Sequence, residues 1–145
     1  MGARRKAAAA PSAVTRKARL DVKPDPRDLR DRAYIPPPRS LPQALPADAD
    51  FARFLGHYTQ AKLILDQGRE GACTGFGLAC VINYLRWRAA GMPKRFARIS
   101  PRMLYHFARR FDEYEGEKYE GASCRGALKG WHYNGVCNEA KWDYQ

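Results

Sequence analysis

Eight of the ten prolines in this 145-residue chain fall before position 47 (Pro11, Pro24, Pro26, Pro36, Pro37, Pro38, Pro42 and Pro46), whereas all four cysteines, all three tryptophans and every glycine except Gly2 fall after position 50. Proline fixes φ and lacks a backbone donor, so a proline-dense stretch builds neither helix interiors nor central strands. This asymmetry divides the chain before any motif is considered. Residues 1–47 read as a disordered, basic, Pro-rich tail or linker, stiffened at Pro36-Pro37-Pro38 by polyproline II geometry. Residues 48–145 are the part expected to fold, a length that excludes a two-domain enzyme. No apolar run approaches the roughly 18 residues of a membrane span, so a membrane is not an expected partner.

The net charge is +11, from 26 Lys and Arg against 15 Asp and Glu. The excess is shared about evenly between the first fifty residues and the rest. A spread excess aids solubility and gives weak affinity for polyanions without specifying nucleic acid, which is therefore not the expected partner. Residues 1–20 are basic and free of acids until Asp21, but their apolar run is only residues 7–10, all Ala. That is shorter than the roughly 7–15 residues of a secretory signal. Cys73, Cys80, Cys124 and Cys137 form no paired CxxC spacing, so neither a disulfide framework nor a zinc site is expected, and a reducing, cytoplasmic setting is the default.

Local signals predict mainly helix. Leu78, Val81, Ile82 and Leu85 recur at helical spacing behind Cys73, and Gly91 followed by Met92-Pro93 supplies a stop. Ser100 reads as an N-cap with Pro101 at the first helical position, ahead of Met103, Leu104, Phe107 and Phe111. Ser123 reads as a second N-cap, for a helix through Leu128 and Trp131 that ends at Asn134-Gly135. Leu63, Ile64 and Leu65 suggest a short buried strand or extended piece, and residues 136–144 an extended one. Phe51, Phe54 and Leu55 form an apolar segment leading into it. The first helix is expected to pack Leu78, Val81, Ile82 and Leu85 on Leu104 and Trp131.

The segment Gln67-Gly68-Arg69-Glu70-Gly71-Ala72-Cys73-Thr74-Gly75-Phe76 carries the chemistry. A cysteine in the first turn of a helix faces unpaired N–H groups and the positive end of the macrodipole, and both favour the nucleophilic thiolate. Gly71-Ala72 keeps bulk away from an approaching carbonyl. Gln67, returned by a glycine loop, would aim its side-chain amide at the same point as the Cys73 N–H, giving two donors for an oxyanion.

These residues resemble the papain-like (C1) cysteine peptidases, particularly bacterial members. Gly71, Ala72 and Cys73 match the family's C-G-[SA]-C-[WY] pattern, while Glu70 and Thr74 depart from it. Gln67 falls where the family carries its oxyanion-hole glutamine. Ser100-Pro101-Arg102-Met103-Leu104-Tyr105 is similar to the family's Ser-x-x-x-Leu-Tyr helix start. Gly121, Ala122 and Ser123 lie in a segment resembling the one whose backbone holds extended substrate, and Gly135-Val136 through Trp142-Asp143-Tyr144 resembles the strand that follows. The resemblance implies an α+β fold in which residues 48–145 form the mainly helical N-terminal lobe, its central helix starting at the nucleophile. It implies thiol proteolysis of a peptide or protein substrate without metal or cofactor. The family's general-base His and orienting Asn lie roughly 130–150 residues after the Cys. Both would then belong to a missing C-terminal lobe, and the 145 residues alone would be inactive. His57, His106 and His132 match no position of that base.

Other clusters carry less. Asp112-Glu113-Tyr114-Glu115-Gly116-Glu117 lacks calcium-loop spacing and reads as a solvated acidic turn. Cys124, His132 and Cys137 match no structural zinc pattern. Two further readings stand beside the peptidase: a non-catalytic basic binding module, and a pseudoenzyme in which Glu70 and Thr74 mark lost chemistry.

Overall fold

The computed structural model describes residues 20–38, 44–114 and 120–143. The expectations for the basic residues 1–19, for Glu115, Gly116, Glu117 and Tyr119, and for Tyr144 fall outside them.

Four α-helices carry the fold: α1 (Asp48–Gln60), α2 (Cys73–Ala89), α3 (Pro101–Phe111) and α4 (Cys124–Asn134). The caps read from sequence form. Ser100 Oγ accepts from Met103 N at 3.0 Å, with Pro101 at the first helical position, and Ser123 Oγ accepts from Gly126 N at 2.9 Å. Gly91 (φ 78°) follows the end of α2 and Gly135 (φ 67°) ends α4, both in the region that favours glycine. Two short strands, β1 (Val22–Lys23) and β2 (Ala122–Ser123), pair in parallel with Val22 opposite Ala122 and Lys23 opposite Ser123.

Helix α3 lies between α2 and α4, and glycine makes both contacts close. A Cβ on Gly75 of α2 would lie 2.6–2.8 Å from the Tyr105 Cβ, the Tyr105 N and the Pro101 carbonyl. On α4, Cβ atoms at Gly126 and Gly130 would lie 2.7–3.0 Å from backbone and Cβ atoms of Phe107, Ala108 and Asp112. The cores on either side of α3 hold Ala72, Phe76, Tyr105, Ala108, Ala122 and Ala127, and next to them Ala79, Ile82, Ile99 and Leu104. A third gathers Ala61, Leu63 and Trp87 under Phe54 and Tyr58 of α1, where Trp87 donates its indole N–H to Pro93 O at 2.9 Å.

Four expectations are corrected. Residues 48–60 form a full helix, because Phe51, Phe54, Leu55 and Tyr58 follow a helical period behind Asp48 and Asp50 in the first turn. Residues 136–143 are not a continuous extended piece. Ile99 and Asn138 form one antiparallel bridge, then Glu139–Lys141 turns as a 3₁₀ helix. Val81 and Leu85 are 55% and 59% exposed, and Trp131 faces out instead of covering α2. The reason is that α2 is apolar on every side, so periodicity does not select its inner face, while α4 meets α3 through Gly126 and Gly130 and turns Leu128 and Trp131 outward. Finally, the stretch expected to be free tail contains β1, and residues 21–31 lie along the folded part.

Candidate functional site

Cys73 is the first residue of α2, and its thiol is half-buried. Its position is set from two sides. Ala72, the residue before it, is fully buried in the α2–α3 core, and Gly75, two residues on, is pressed against α3. The first N–H groups of α2, Cys73 N among them, have no partner within the helix ladder. Thr74 follows with its hydroxyl buried and without a hydrogen-bond partner among the described residues.

The loop before Cys73 is held by its own polar groups. Asp66 Oδ1 accepts from Gly68 N at 2.8 Å, and Gly68 turns with φ 64°. Gln67 Nε2 donates to Glu70 O at 3.1 Å. This bond engages one hydrogen of the amide within the loop. Glu70 in turn reaches Arg102 of α3 at 3.8 Å.

The other three sequence-predicted residues form one side of the same neighbourhood. Gly121 and Ala122 are buried, Ala122 in the same core as Ala72. Gly121 has φ 95° and donates its N–H to Tyr105 Oη at 3.0 Å. Burial pushes the Tyr105 phenol above its ordinary value. Ser123 is buried and caps α4 through its Oγ. Cys124 opens α4, exposed, its thiol pushed up by burial of its surroundings and then by the charges of Asp25 and Cys73. Cys80 lies seven residues into α2 from Cys73, and its thiol too is pushed up by burial. Cys73, Cys124 and the Ala122–Ser123 edge thus belong to one patch, where the starts of α2 and α4 converge.

No histidine falls in the stretches Gln67–Cys73 or Gly121–Cys124. His106 meets Phe107 edge-on and Trp142 at a tilt, with ring centroids 5.2 and 5.4 Å apart, and His132 sits edge-on to Tyr133. His106 lines a cleft of about 490 Å³ with Glu70, Arg102, Arg109, Arg110 and Trp142. A cleft of about 880 Å³ lies beside Lys62, Lys94, Arg95, Arg98 and Glu139, and neither cleft is lined by Cys73. Among the described residues no three His, Cys, Asp or Glu gather as a metal site, and no helix is long and apolar enough to cross a membrane.

Sequence reasoning missed what lies on β2. Residues 21–23 run along it, with Asp21 against both Gly71 and Gly121. The local signal was the pair of glycines, Gly71 two residues before Cys73 and Gly121 itself a candidate. No protein-family model matches the chain, and no curated protein or solved structure matches it either.

Proposed function

We propose that this chain is the nucleophile-bearing lobe of a papain-like thiol peptidase, with Cys73 as nucleophile. The observation that supports this most is a juxtaposition. A half-buried cysteine opens α2, and the Ala122–Ser123 edge beside it pairs with an extended segment of backbone. A hydrolase acting on extended peptides needs those two features side by side: an edge that aligns the substrate backbone and a thiolate at its end.

In this reading the Cys73 thiolate attacks the scissile carbonyl carbon, forming a C–S bond as the carbonyl π electrons move to oxygen. The Cys73 N–H and the Gln67 side-chain amide stabilise that oxyanion. Its collapse expels the amine, which takes up the proton first removed from the thiol, and water then releases the acid from the acyl-enzyme. The proton carrier is assigned to a second lobe outside these 145 residues. Such a lobe would also cover Val81 and Leu85, which stand out from α2 on the ridge that begins at Cys73. The pseudoenzyme reading draws on the Gln67–Glu70 bond, which engages the amide within its own loop.

The test is a peptidyl vinyl sulfone, compared with iodoacetamide and followed by mass spectrometry of each cysteine. The peptidyl reagent is expected to label Cys73 ahead of Cys80, Cys124 and Cys137, and unfolding in urea should abolish the preference. Iodoacetamide should likewise favour Cys73 over Cys80, whose raised pKa leaves little thiolate at neutral pH. Equal labelling of the four sites in folded protein refutes the peptidase reading. Labelling of Cys73 by iodoacetamide alone favours the pseudoenzyme.

A further inference from the structure

We infer that the cleft of about 880 Å³ at the end of α1 binds a small ligand carrying phosphate groups, held by Lys62, Lys94 and Arg95. Such a site is independent of the function proposed above, because Cys73 does not line this cleft.

The charge of the cleft depends on which of its cations are already matched. Between Glu70 and Asp112 the sequence holds no Asp or Glu, and Lys94, Arg95 and Arg98 fall within that interval. Glu139 is the carboxylate that lines the cleft, and Arg98 takes it up, donating from Nε to Glu139 Oε2 at 2.7 Å. Another Arg98 nitrogen donates to Lys62 O at 2.8 Å, so this guanidinium joins Glu139 to the end of α1. Lys62, Lys94 and Arg95 are exposed, and among the described residues no carboxylate pairs with them. The negative end of the α1 dipole also lies here. Its last turn is closed on itself, with Tyr58 O accepting from Leu63 N and Thr59 O from Lys62 N. A dipole end equivalent to roughly half an elementary charge does not offset three cations.

Lys62 supplies the second observation. Those two backbone bonds are a Schellman ending, in which the residue at the place of Lys62 takes the left-handed conformation, here φ 56°. Glycine takes it without steric cost, and glycine is what closes α2 in the same way. There Gly91 (φ 78°) donates to Arg88 O, and Met92 N to Trp87 O. At α1 a lysine occupies the position although its Cβ makes that backbone unfavourable. Strain held in this way clusters at ligand clamps and active sites, and Lys62 lines the cleft.

Phosphate fits three unmatched cations because one such group carries roughly 1.5–2 negative charges at neutral pH, where a carboxylate carries one. Arg95 offers a planar fork to two of its oxygens, and Lys62 and Lys94 act as point charges. The cleft volume falls within the roughly 300–1,000 Å³ of small-molecule sites.

The test is calorimetric titration of the full chain with pyrophosphate, inorganic phosphate and citrate, at a fixed ionic strength of about 0.15 M. Pyrophosphate is expected to bind at one site per chain, more tightly than the other two. Lys62→Gly removes a cation and the backbone strain together. It should weaken pyrophosphate by about tenfold or more, with a melting temperature no lower than the parent's. The double variant Lys94→Gln/Arg95→Gln should weaken it by about a hundredfold. Arg110→Gln, in the cleft beside His106, should leave the affinity unchanged. Absence of saturable pyrophosphate binding would overturn the site. So would a loss on Arg110→Gln with Lys62→Gly unaffected, which would put the anion in the other cleft. Citrate binding as tightly as pyrophosphate would overturn the choice of phosphate. A single-stranded oligodeoxythymidylate that binds where pyrophosphate does not would replace the small-ligand site with a polyanion surface.

Discussion

Gly75 and Gly77 lie two residues apart in α2, and replacing each with alanine should move stability in opposite directions. In a helix interior alanine is favoured over glycine by about 1 kcal/mol, because glycine surrenders more backbone freedom on folding. At Gly77 nothing lies within 4 Å of an added Cβ, so that gain should be realised in full. At Gly75 the same methyl would meet Tyr105 Cβ at 2.6 Å, Tyr105 N at 2.7 Å and Pro101 O at 2.8 Å, where ordinary contact begins near 3.4 Å. Two of those atoms are helix backbone and cannot rotate away. Helices α2 and α3 would have to part by more than half an ångström along a seam that includes Phe76, Tyr105 and Ala108. Overpacking of this kind costs about 3 kcal/mol at its upper end. Set against the propensity gain, Gly75→Ala should destabilise by about 2 kcal/mol and Gly77→Ala stabilise by about 1 kcal/mol. For a folded part of about 100 residues each kcal/mol shifts Tm by about 4–8 °C. Thermal unfolding followed by circular dichroism should therefore show Gly75→Ala melting about 8–16 °C below the parent and Gly77→Ala about 4–8 °C above it. A Gly75→Ala protein melting at or above the parent would falsify the close α2–α3 seam, and with it the account of what fixes Cys73.

Thr74→Val replaces a buried hydroxyl that lacks a partner with a methyl of the same shape, so urea unfolding should report a gain of about 1 kcal/mol; a loss would mean that the hydroxyl is bonded in solution. Tyr105→Phe leaves the buried Gly121 N–H unpaired and should cost about 1–3 kcal/mol at neutral pH. Burial raises the Tyr105 pKa, so its folded form holds the phenol proton more tightly than the unfolded chain does. The associated stability is complete below about pH 10 and drains away as pH rises through the folded value. Urea titrations from pH 8 to 11 should show that alkaline decline in the parent and a shallower one in Tyr105→Phe; identical slopes would remove Tyr105 from the linkage. Glu139→Gln should lower stability by about 1 kcal/mol, since Arg98 then loses a partly buried ionic partner at 2.5 Å while keeping its bond to Lys62 O. Arg98→Lys at the same site should be no better than Glu139→Gln, because lysine lacks the fork that serves both acceptors.

What the sequence by itself determined is what short-range sterics and hydrogen bonding control. Ser100 and Ser123 announce their helices because a hydroxyl within three residues of a free N–H finds it whatever the rest of the chain does. Gly91 and Gly135 stop theirs because few other residues adopt their backbone angles readily. Cys73 at the head of α2 follows from the same kind of local signal. The helix at Asp48–Gln60 is equally legible in its period and acidic first turn.

The tertiary structure decided everything that depends on a distant neighbour. An apolar helix does not declare which side is covered, so Val81 and Leu85 face out while Ile82 and Trp87 face in. The Gln67 amide turns to Glu70 because the Asp66–Gly68 turn brings that carbonyl within reach. Gly75, Gly126 and Gly130 mean nothing special until α3 is laid against them. The pairing of β1 with β2 joins residues 100 positions apart through a two-residue ladder. Neither strand carries a pattern of its own, since an extended pair that short exists only where the folded chain brings an edge and a segment together.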